Sequence, residues 1–294
     1  MSHDSPSPAA GGAAYRLAPL ACRHIEHSRA WILRAAQSVE PVRAAILGAG
    51  ACTEIPLAEL AERFGEVVLN DIDERLLREA IAAAELSPTA RARLKIVPGD
   101  LSGLTQPALA AIGQAISDAA DAGTAIDAMA QAVVAAEAAP FPIPGPFDLV
   151  VASCVLSQLH FALTHEAAAI FEQRFPGQAD TLRTSSAWQA ALYATARQIE
   201  EKFIANLAER VSDRGLVCLS ESAQMCYVQL APDGSWQTPG TYRMLRTIDL
   251  ADYVQGHFQV VERGRWEWVV APPKVPGETG RLYDVQALVL RRAR

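Results

Sequence analysis

The sequence predicts an α/β protein built on a doubly wound, mainly parallel, seven-stranded sheet with an antiparallel terminal hairpin. Short apolar segments alternate with segments of helical periodicity, which is the pattern of parallel β-α units. The first apolar segment, Arg43–Leu47, leads directly into the Gly-Ala-Gly turn of residues 48–50. The last two segments, 258–270 and 282–290, alternate like paired strands around a loop rich in Pro and Gly.

The composition favours a globular protein. Half of the 294 residues are hydrophobic, which excludes disorder for most of the chain. The net charge of −7 and the absence of any Lys/Arg block argue against a nucleic-acid partner held by bulk electrostatics. We therefore expect no nucleic acid as partner.

The cysteines and the apolar segments indicate a cytoplasmic protein. The five cysteines form no C-x-x-C pair, which is typical of reduced, buried thiols. The N-terminus lacks the basic and apolar regions of a signal peptide. The Ala-rich segment 107–139 is interrupted by three Asp residues and is too polar to span a bilayer, so we expect no membrane partner.

The chain reads as one domain preceded by a short tail. Residues 1–16 are predicted to be flexible, because they are rich in Ser, Pro, Gly and Ala. An amphipathic pattern predicts an N-terminal helix over 17–39. The remaining core, 40–294, contains helical or irregular insertions at about 102–146, 155–190 and 222–247.

The core elements follow from the alternation of apolar and helical segments. The predicted parallel strands are Arg43–Leu47, Glu66–Asn70, 94–97, 147–152 and 216–220. The predicted helical segments are 53–64, 74–85, 101–139 with Gly103 and Gly123 as candidate breaks, the stretch from the end of the loop 153–160 to about 211 with a break near 176–177, and 249–256. Residues 213–215 are expected to form a turn, and 222–247 to be irregular.

Chemically useful residues follow the ends of successive predicted strands. They are Gly48 and Gly50, Asp71, Asp100, Ser153 with Cys154, and Glu221. In a doubly wound sheet these strand ends share one crevice. An acid about 20 residues after the glycines accepts hydrogen bonds from ribose hydroxyls. A second acid, one strand further along, can reach an adenine amino group, so the pattern predicts a nucleoside ligand.

Five segments carry a resemblance to a known family. They are Ile46-Leu-Gly-Ala-Gly50, Leu69-Asn-Asp-Ile-Asp73, Pro98-Gly-Asp-Leu101, Phe147-Asp-Leu-Val-Val-Ala-Ser-Cys-Val-Leu156 and Gly215-Leu-Val-Cys-Leu219. Over about residues 40–290 the chain resembles the class I S-adenosylmethionine-dependent methyltransferases, whose fold uses a closing hairpin for its reversed last strand. It departs from their commonest glycine motif at Ala45 and Cys52, which stand in place of an acid and a third glycine.

The resemblance implies S-adenosyl-L-methionine as cofactor and nine residues around it. Those implied at the methionine end are Gly48, Ala49, Gly50, Ser153 and Cys154. Those implied at the nucleoside end are Asp71 on the ribose hydroxyls, Ile72 on the adenine, Asp100 on the adenine amino group and Leu101 over the ring.

The expected activity is methylation of a small molecule at O, N or C. The loop after the fourth strand holds Ser153-Cys-Val-Leu156 rather than the Asp/Asn-Pro-Pro-Tyr/Phe motif of enzymes that methylate DNA bases or protein glutamine. One alternative is an NAD(P)-dependent oxidoreductase, although Thr53 stands where the dinucleotide fingerprint has a third glycine. A second alternative is a non-catalytic protein that binds S-adenosylmethionine.

Other residues with reactive side chains are assigned structural roles. Cys22, His24 and His27 lack a further cluster to complete a metal site, so we expect no metal and a half-exposed helix face. No His–Asp arrangement is suggested around Cys154, which argues against a nucleophile. Glu221 is equally compatible with a contact to the substrate and with a purely structural role. No residue is assigned as a catalytic base. The Ala-rich segment 104–139 is interpreted first as packing helix, and second as a lid or a homodimer surface.

Overall fold

The computed structural model describes residues 19–232, 236–237, 243–244, 249–270 and 273–293. Their strands form one sheet, in which seven strands follow the order β3-β2-β1-β4-β5-β9-β8 while β6 and β7 pair with β5. The strands are β1 (Arg43–Leu47), β2 (Glu66–Asn70), β3 (Leu94–Ile96), β4 (Phe147–Ser153), β5 (Val211–Leu230), β6 (Trp236–Gln237), β7 (Arg243–Met244), β8 (Phe258–Val269) and β9 (Thr279–Arg292).

Helices cover both faces of this sheet. They are α1 (Pro19–Gln37), α2 (Leu57–Arg63), α3 (Glu74–Ala83), α4 (Pro88–Ala92), α5 (Thr105–Asp118), α6 (Ala122–Ala135), α7 (Phe161–Arg174), α8 (Ala179–Thr184), α9 (Ser186–Arg210) and α10 (Leu250–Val254). None of the helices in the described ranges is both long and apolar enough to cross a membrane. The predicted tail, residues 1–16, lies outside the described residues.

The sheet confirms the predicted doubly wound architecture. β1 pairs in parallel with both β2 and β4, β2 with β3, and β4 with β5. β9 pairs antiparallel with β5 on one side and with β8 on the other, so β9, the last strand of the chain, is the reversed strand of the path. The order changes direction between β1 and β4, and sheets of this kind bind ligands in the crevice at such a switch point.

The core has two layers, one on each face of the sheet. Ala44 and Ile46 of β1 pack in a buried cluster with residues of α1 and α2. Their neighbours Ala45 and Leu47 pack in a second cluster with residues of α5, α6 and α9. β1 is apolar on both faces because a central parallel strand is covered on both sides.

Several predicted helices have different bounds in the structure, and the stretch that ends near residue 211 is the three helices α7, α8 and α9. The helix predicted from residue 53 begins at Leu57, because residues after the glycine turn form further turns and Pro56 occupies the N-cap. The Ala-rich segment 101–139, with Gly103 and Gly123 as the candidate breaks, forms two helices, and Gly123 lies inside the second one. The break lies at residues 119–121, where the Asp121 carboxylate accepts the N–H of Thr124 and caps α6.

β5 is much longer than the predicted strand 216–220. The expected turn at 213–215 lies inside it, where the pairing with β4 shifts register between Phe147 and Leu149. Residues 222–230, predicted to be irregular, continue β5; Ser222 and residues 224–229 pair with β9, and Leu230 pairs with β6. The extension has a small core of its own, formed by Cys226, Val228, Val269 and Leu282. Most of the remaining predicted insertion, to residue 247, lies outside the described residues.

Candidate functional site

The glycine turn after β1 requires its two glycines for different reasons. Gly48 and Gly50 have φ angles of 61° and 49°, a region that side chains disfavour. A Cβ on Gly48 would overlap Cγ2 of Val155, so the loop after β4 packs directly against this residue. A Cβ on Gly50 would approach only Oδ2 of Asp71, at 4.0 Å. The turn is therefore closed on its Gly48 side and open toward Asp71.

Asp71 lies at the end of β2 and is bonded to the glycine turn. Its Oδ2 accepts the N–H of Gly50 at 2.8 Å, and its Oδ1 accepts the N–H of Asp73 at 3.0 Å. A carboxylate has about four acceptor positions, so two stay available to a pair of hydroxyls. The neighbouring Ile72 is 59% exposed, so its apolar side chain is accessible to a ligand. These residues fit a ribose and an apolar ring face.

Asn70 supports this corner and was not identified from the sequence. Its buried Nδ2 donates to the carbonyls of Val97 at 2.9 Å and Gly99 at 3.2 Å. The N–H of Gly99 donates to the carbonyl of Asp71 at 3.0 Å. The end of β2 and the loop after β3 are thus held together, which brings the predicted nucleoside residues to one edge.

Asp100 is already engaged within its own loop. Its carboxylate accepts the N–H of Ser102 at 2.8 Å, the Ser102 hydroxyl at 2.7 and 2.8 Å, and the N–H of Thr105 at 3.0 Å. Leu101 is buried in the core layer that contains α5. The adenine contacts expected of Asp100 and Leu101 stay predictions, and the structure adds a structural role for each.

Ser153 and Cys154 lie at the end of β4, next to β5. The Ser153 hydroxyl is 3.3 Å from Oε1 of Glu54 and 3.1 Å from the Ser220 hydroxyl. Cys154 has a φ of 52°, and its N–H donates to the carbonyl of Ser220 at 2.8 Å. Burial, then the charges of Glu221 and Glu54, raise the pKa of the Cys154 thiol. A buried, protonated thiol is a poor nucleophile.

His24 of α1 is buried at this site, which corrects the predicted half-exposed helix face. It is 1% exposed, its ring stacks on Trp268 at 4.3 Å, and its Nδ1 accepts the indole N–H of Trp266 at 2.8 Å. Its Nε2 lies 3.5 Å from Oε2 of Glu54. Helical spacing alone could not reveal this, because β8 covers His24 from far along the chain.

His24, Glu54 and Cys154 bring their ligand-type atoms within 4.8 Å of one another. A metal-binding histidine donates its second ring N–H to an acceptor. Here the second nitrogen, Nδ1, instead accepts an N–H from Trp266. The neutral ring therefore carries its proton on Nε2 and has no lone pair for a metal or for the Cys154 proton. The cluster fits neither a metal site nor a nucleophilic dyad.

Glu221 does not present its carboxylate at the mouth of the crevice. It is 1% exposed and accepts the N–H and the hydroxyl of Ser157, at 2.9 and 2.8 Å, and the N–H of Ser222 at 2.9 Å. These bonds tie the turn Leu156–Gln158 to β5. Its role in the structure is to hold the loop after β4 against the glycine turn.

In the comparisons with known proteins, this chain is similar only to solved structures. No family model and no curated protein matches the chain. An S-adenosylmethionine-dependent methyltransferase from Clostridium acetobutylicum aligns with 90% of this chain and 92% of its own, at 11% identity and a TM-score of 0.43. A putative RNA methyltransferase from Pyrococcus horikoshii covers 92% and 85%, at 11% identity and a TM-score of 0.42.

A third similar structure is the glycopeptide N-methyltransferase MtfA complexed with S-adenosyl-L-methionine. It aligns with 92% of this chain and 94% of its own, at 12% identity and a TM-score of 0.35. Identities and TM-scores of this size assign neither a family nor a function. On its own topology, the chain has the doubly wound sheet with a reversed last strand that its resemblance to the class I S-adenosylmethionine-dependent methyltransferases implies.

Proposed function

We propose that this protein is an S-adenosylmethionine-dependent methyltransferase that acts on a small molecule. The observation that carries the proposal is the bond between Asp71 and Gly50, which joins the end of β2 to the turn after β1, beside the switch point of a sheet whose last strand in the chain is reversed. Asp71 keeps acceptor positions for two ribose hydroxyls, and the exposed Ile72 lies beside it. The methionine end would then lie toward Gly48, Ser153 and Cys154.

The reversed last strand favours this function over an NAD(P)-dependent oxidoreductase. In the usual dinucleotide-binding sheet, the sixth strand of the order continues the parallel set. Here that position belongs to β9, which is antiparallel to β5. In addition, Thr53 lies in a turn before α2 instead of entering the helix as the third fingerprint glycine does. Both features are atypical of a protein that binds a dinucleotide.

The loop after β4 supports a small molecule as the methyl acceptor. Its sequence, Ser153-Cys-Val-Leu156, lacks the polar and aromatic side chains that hold a flipped base or a glutamine amide. Val155 packs on Gly48 instead, and Leu156 is buried. The net charge of −7 gives no general attraction to nucleic acid. The cytoplasmic location stays a prediction.

The chemistry demands mainly alignment from the protein. The bound cofactor would supply a methyl group on a sulfonium sulfur, and this sulfur is a good leaving group because it departs as a neutral thioether. The chain's part is to hold the nucleoside through Asp71 and to fix the loops around Gly48 and Val155, so that an acceptor atom meets the methyl group in line. Among the described residues, neither Glu221 nor Cys154 is exposed enough to act as a base. We therefore assign no catalytic base.

Calorimetric titration tests which cofactor the protein binds. We expect S-adenosylmethionine and S-adenosylhomocysteine to bind, and NAD⁺ and NADP⁺ to give no heat of binding. Binding of a nicotinamide dinucleotide without either sulfur nucleoside would overturn the proposal in favour of the oxidoreductase. Binding of the sulfur nucleosides without turnover on any metabolite would leave the non-catalytic alternative instead.

A further inference from the structure

We propose that Glu54 and His24 together recognise the amino-acid end of the cofactor. Glu54 accepts the α-ammonium group, and Nε2–H of His24 donates to the α-carboxylate. This inference rests on the proposed function, because it assigns a ligand of that class to the crevice. It adds a recognition element that none of the strand-end residues supplies.

The position of Glu54 follows from the loop after the glycine turn. Residues 51–56 form turns that return the chain toward the end of β4, where the Ser153 hydroxyl lies 3.3 Å from Oε1 of Glu54. The charge of Glu54 also helps to raise the pKa of the Cys52 and Cys154 thiols. Glu54 therefore lies in the loop that follows β1 and next to the end of β4, where the proposed function puts the methionine end of the cofactor.

Glu54 is a partly exposed carboxylate that lacks a permanent cation. Its side chain is 23% exposed, and no Lys or Arg of the described ranges forms an ion pair with it. The nearest basic group is the His24 ring, whose Nε2 lies 3.5 Å away. A half-buried carboxylate is stabilised by a cation in direct contact. An α-ammonium group supplies that charge and three N–H donors.

His24 is held as a hydrogen-bond donor. Trp266 donates its indole N–H to Nδ1 at 2.8 Å, and Trp268 stacks on the ring, so the proton of the neutral ring lies on Nε2. This Nε2 is buried and makes no hydrogen bond within the part of the chain that the structure describes. A buried N–H without an acceptor is costly, and a carboxylate ligand would satisfy it.

The two groups together match a zwitterion. A carboxylate without a Lys or Arg partner lies 3.5 Å from an N–H that forms no hydrogen bond with it or with any other described residue, and this pair complements an amino-acid head group. The competing interpretation is that the pair only fastens α1 over the loop. Arg29 of α1 already does this, because its Nη2 donates to the carbonyl of Thr53 at 3.0 Å. Ligand affinity separates the two interpretations.

The test compares ligands that differ only at the amino-acid end. S-adenosylhomocysteine carries both charges, its decarboxylated analogue S-adenosyl-3-thiopropylamine keeps only the ammonium group, and 5′-methylthioadenosine has neither. For Glu54→Gln, we expect a loss of about 10- to 100-fold for the first two, and an unchanged affinity for 5′-methylthioadenosine, by calorimetry. For His24→Phe, which keeps a ring for Trp268, we expect loss for S-adenosylhomocysteine alone.

The matched control is Asp71→Asn, which should weaken all three ligands because they share the ribose. If the wild-type chain binds none of them, the proposed function fails, and this inference fails with it. If the wild type binds S-adenosylhomocysteine and Glu54→Gln binds it equally well, the inference alone is overturned. Equal loss for S-adenosylhomocysteine and 5′-methylthioadenosine in Glu54→Gln would assign Glu54 a structural role, and would also overturn it.

Discussion

Gly48 is the residue of the site with the least tolerance for a side chain. Gly48→Ala should lower stability by more than the ~1 kcal/mol that a left-handed conformation costs, because the new Cβ would meet Val155. Gly50→Ala is the matched control, since its φ is similar but its surroundings are open. Urea denaturation should show the larger loss for Gly48→Ala, and a smaller one when Val155→Ala is also present. Equal losses at both glycines would contradict the close contact.

Asp71 should carry the nucleoside contact. Asp71→Ala should weaken binding of S-adenosylhomocysteine by about 1–3 kcal/mol, because a charged hydrogen-bond partner is lost. Asp73→Ala is the control: Asp73 caps α3 through the N–H groups of Arg75 and Leu76 and should cost about 1 kcal/mol of stability with no change in affinity. Unchanged affinity in folded Asp71→Ala would show that Asp71 is misassigned.

The single residues differ in how far the sequence predicts them. Asp71 was predictable because its spacing from the glycines reflects one β-α unit, which is a local property. Glu54 and His24 were not, because they meet only after α1 packs across the sheet. Glu221 was misleading: its place at a strand end indicated the crevice, but three hydrogen bonds turn it inward.

At the scale of elements, Glu66 joins three neighbouring strands. It accepts hydrogen bonds from Arg43 of β1, at 2.8 and 3.0 Å, and from Lys95 of β3. The bond from Lys95, and then Arg43, lowers the pKa of Glu66 below its ordinary value of 4.5. Stability from this group is therefore present above about pH 4.5 and is lost as the pH falls through the lowered pKa.

Glu66→Gln should accordingly destabilise the protein by about 1 kcal/mol at neutral pH, as a partly buried ion pair does. The difference from the wild type should shrink in acid, as the wild-type carboxyl becomes protonated. Denaturation midpoints measured from pH 7 down to pH 3 check this. A difference that stays constant over the range would mean that Glu66 acts through packing and not through its charge.

Element boundaries were less predictable than the elements themselves. β1 and β2 have the predicted bounds because they are short, apolar and ended by Gly and Asn. β5 runs through Asp213-Arg-Gly215, a combination that normally indicates a turn, because pairing with β4 and β9 outweighs the local preference. Strand pairing between distant segments cannot be predicted from the local sequence pattern.

At the scale of the molecule, the sequence predicts the fold class well because alternating β-α segments permit few topologies. The reversed last strand was also predictable, from the alternation on either side of the loop rich in Pro and Gly. The packing of α1 on β8 was not, because its contacts depend on Trp31, Gly264 and Trp266, far apart in the chain. The methyl acceptor likewise leaves no sequence pattern of its own.

The central claim is methyl transfer to a small molecule, and incubation with S-adenosylmethionine labelled on its methyl group tests it most directly. With a fractionated cell extract as acceptor, the label should enter the low-molecular-weight fraction, and Asp71→Ala should abolish or sharply reduce this incorporation. Label recovered only in RNA or protein would contradict the small-molecule acceptor. No incorporation into any fraction, by a chain that binds the cofactor, would contradict the assignment as an enzyme.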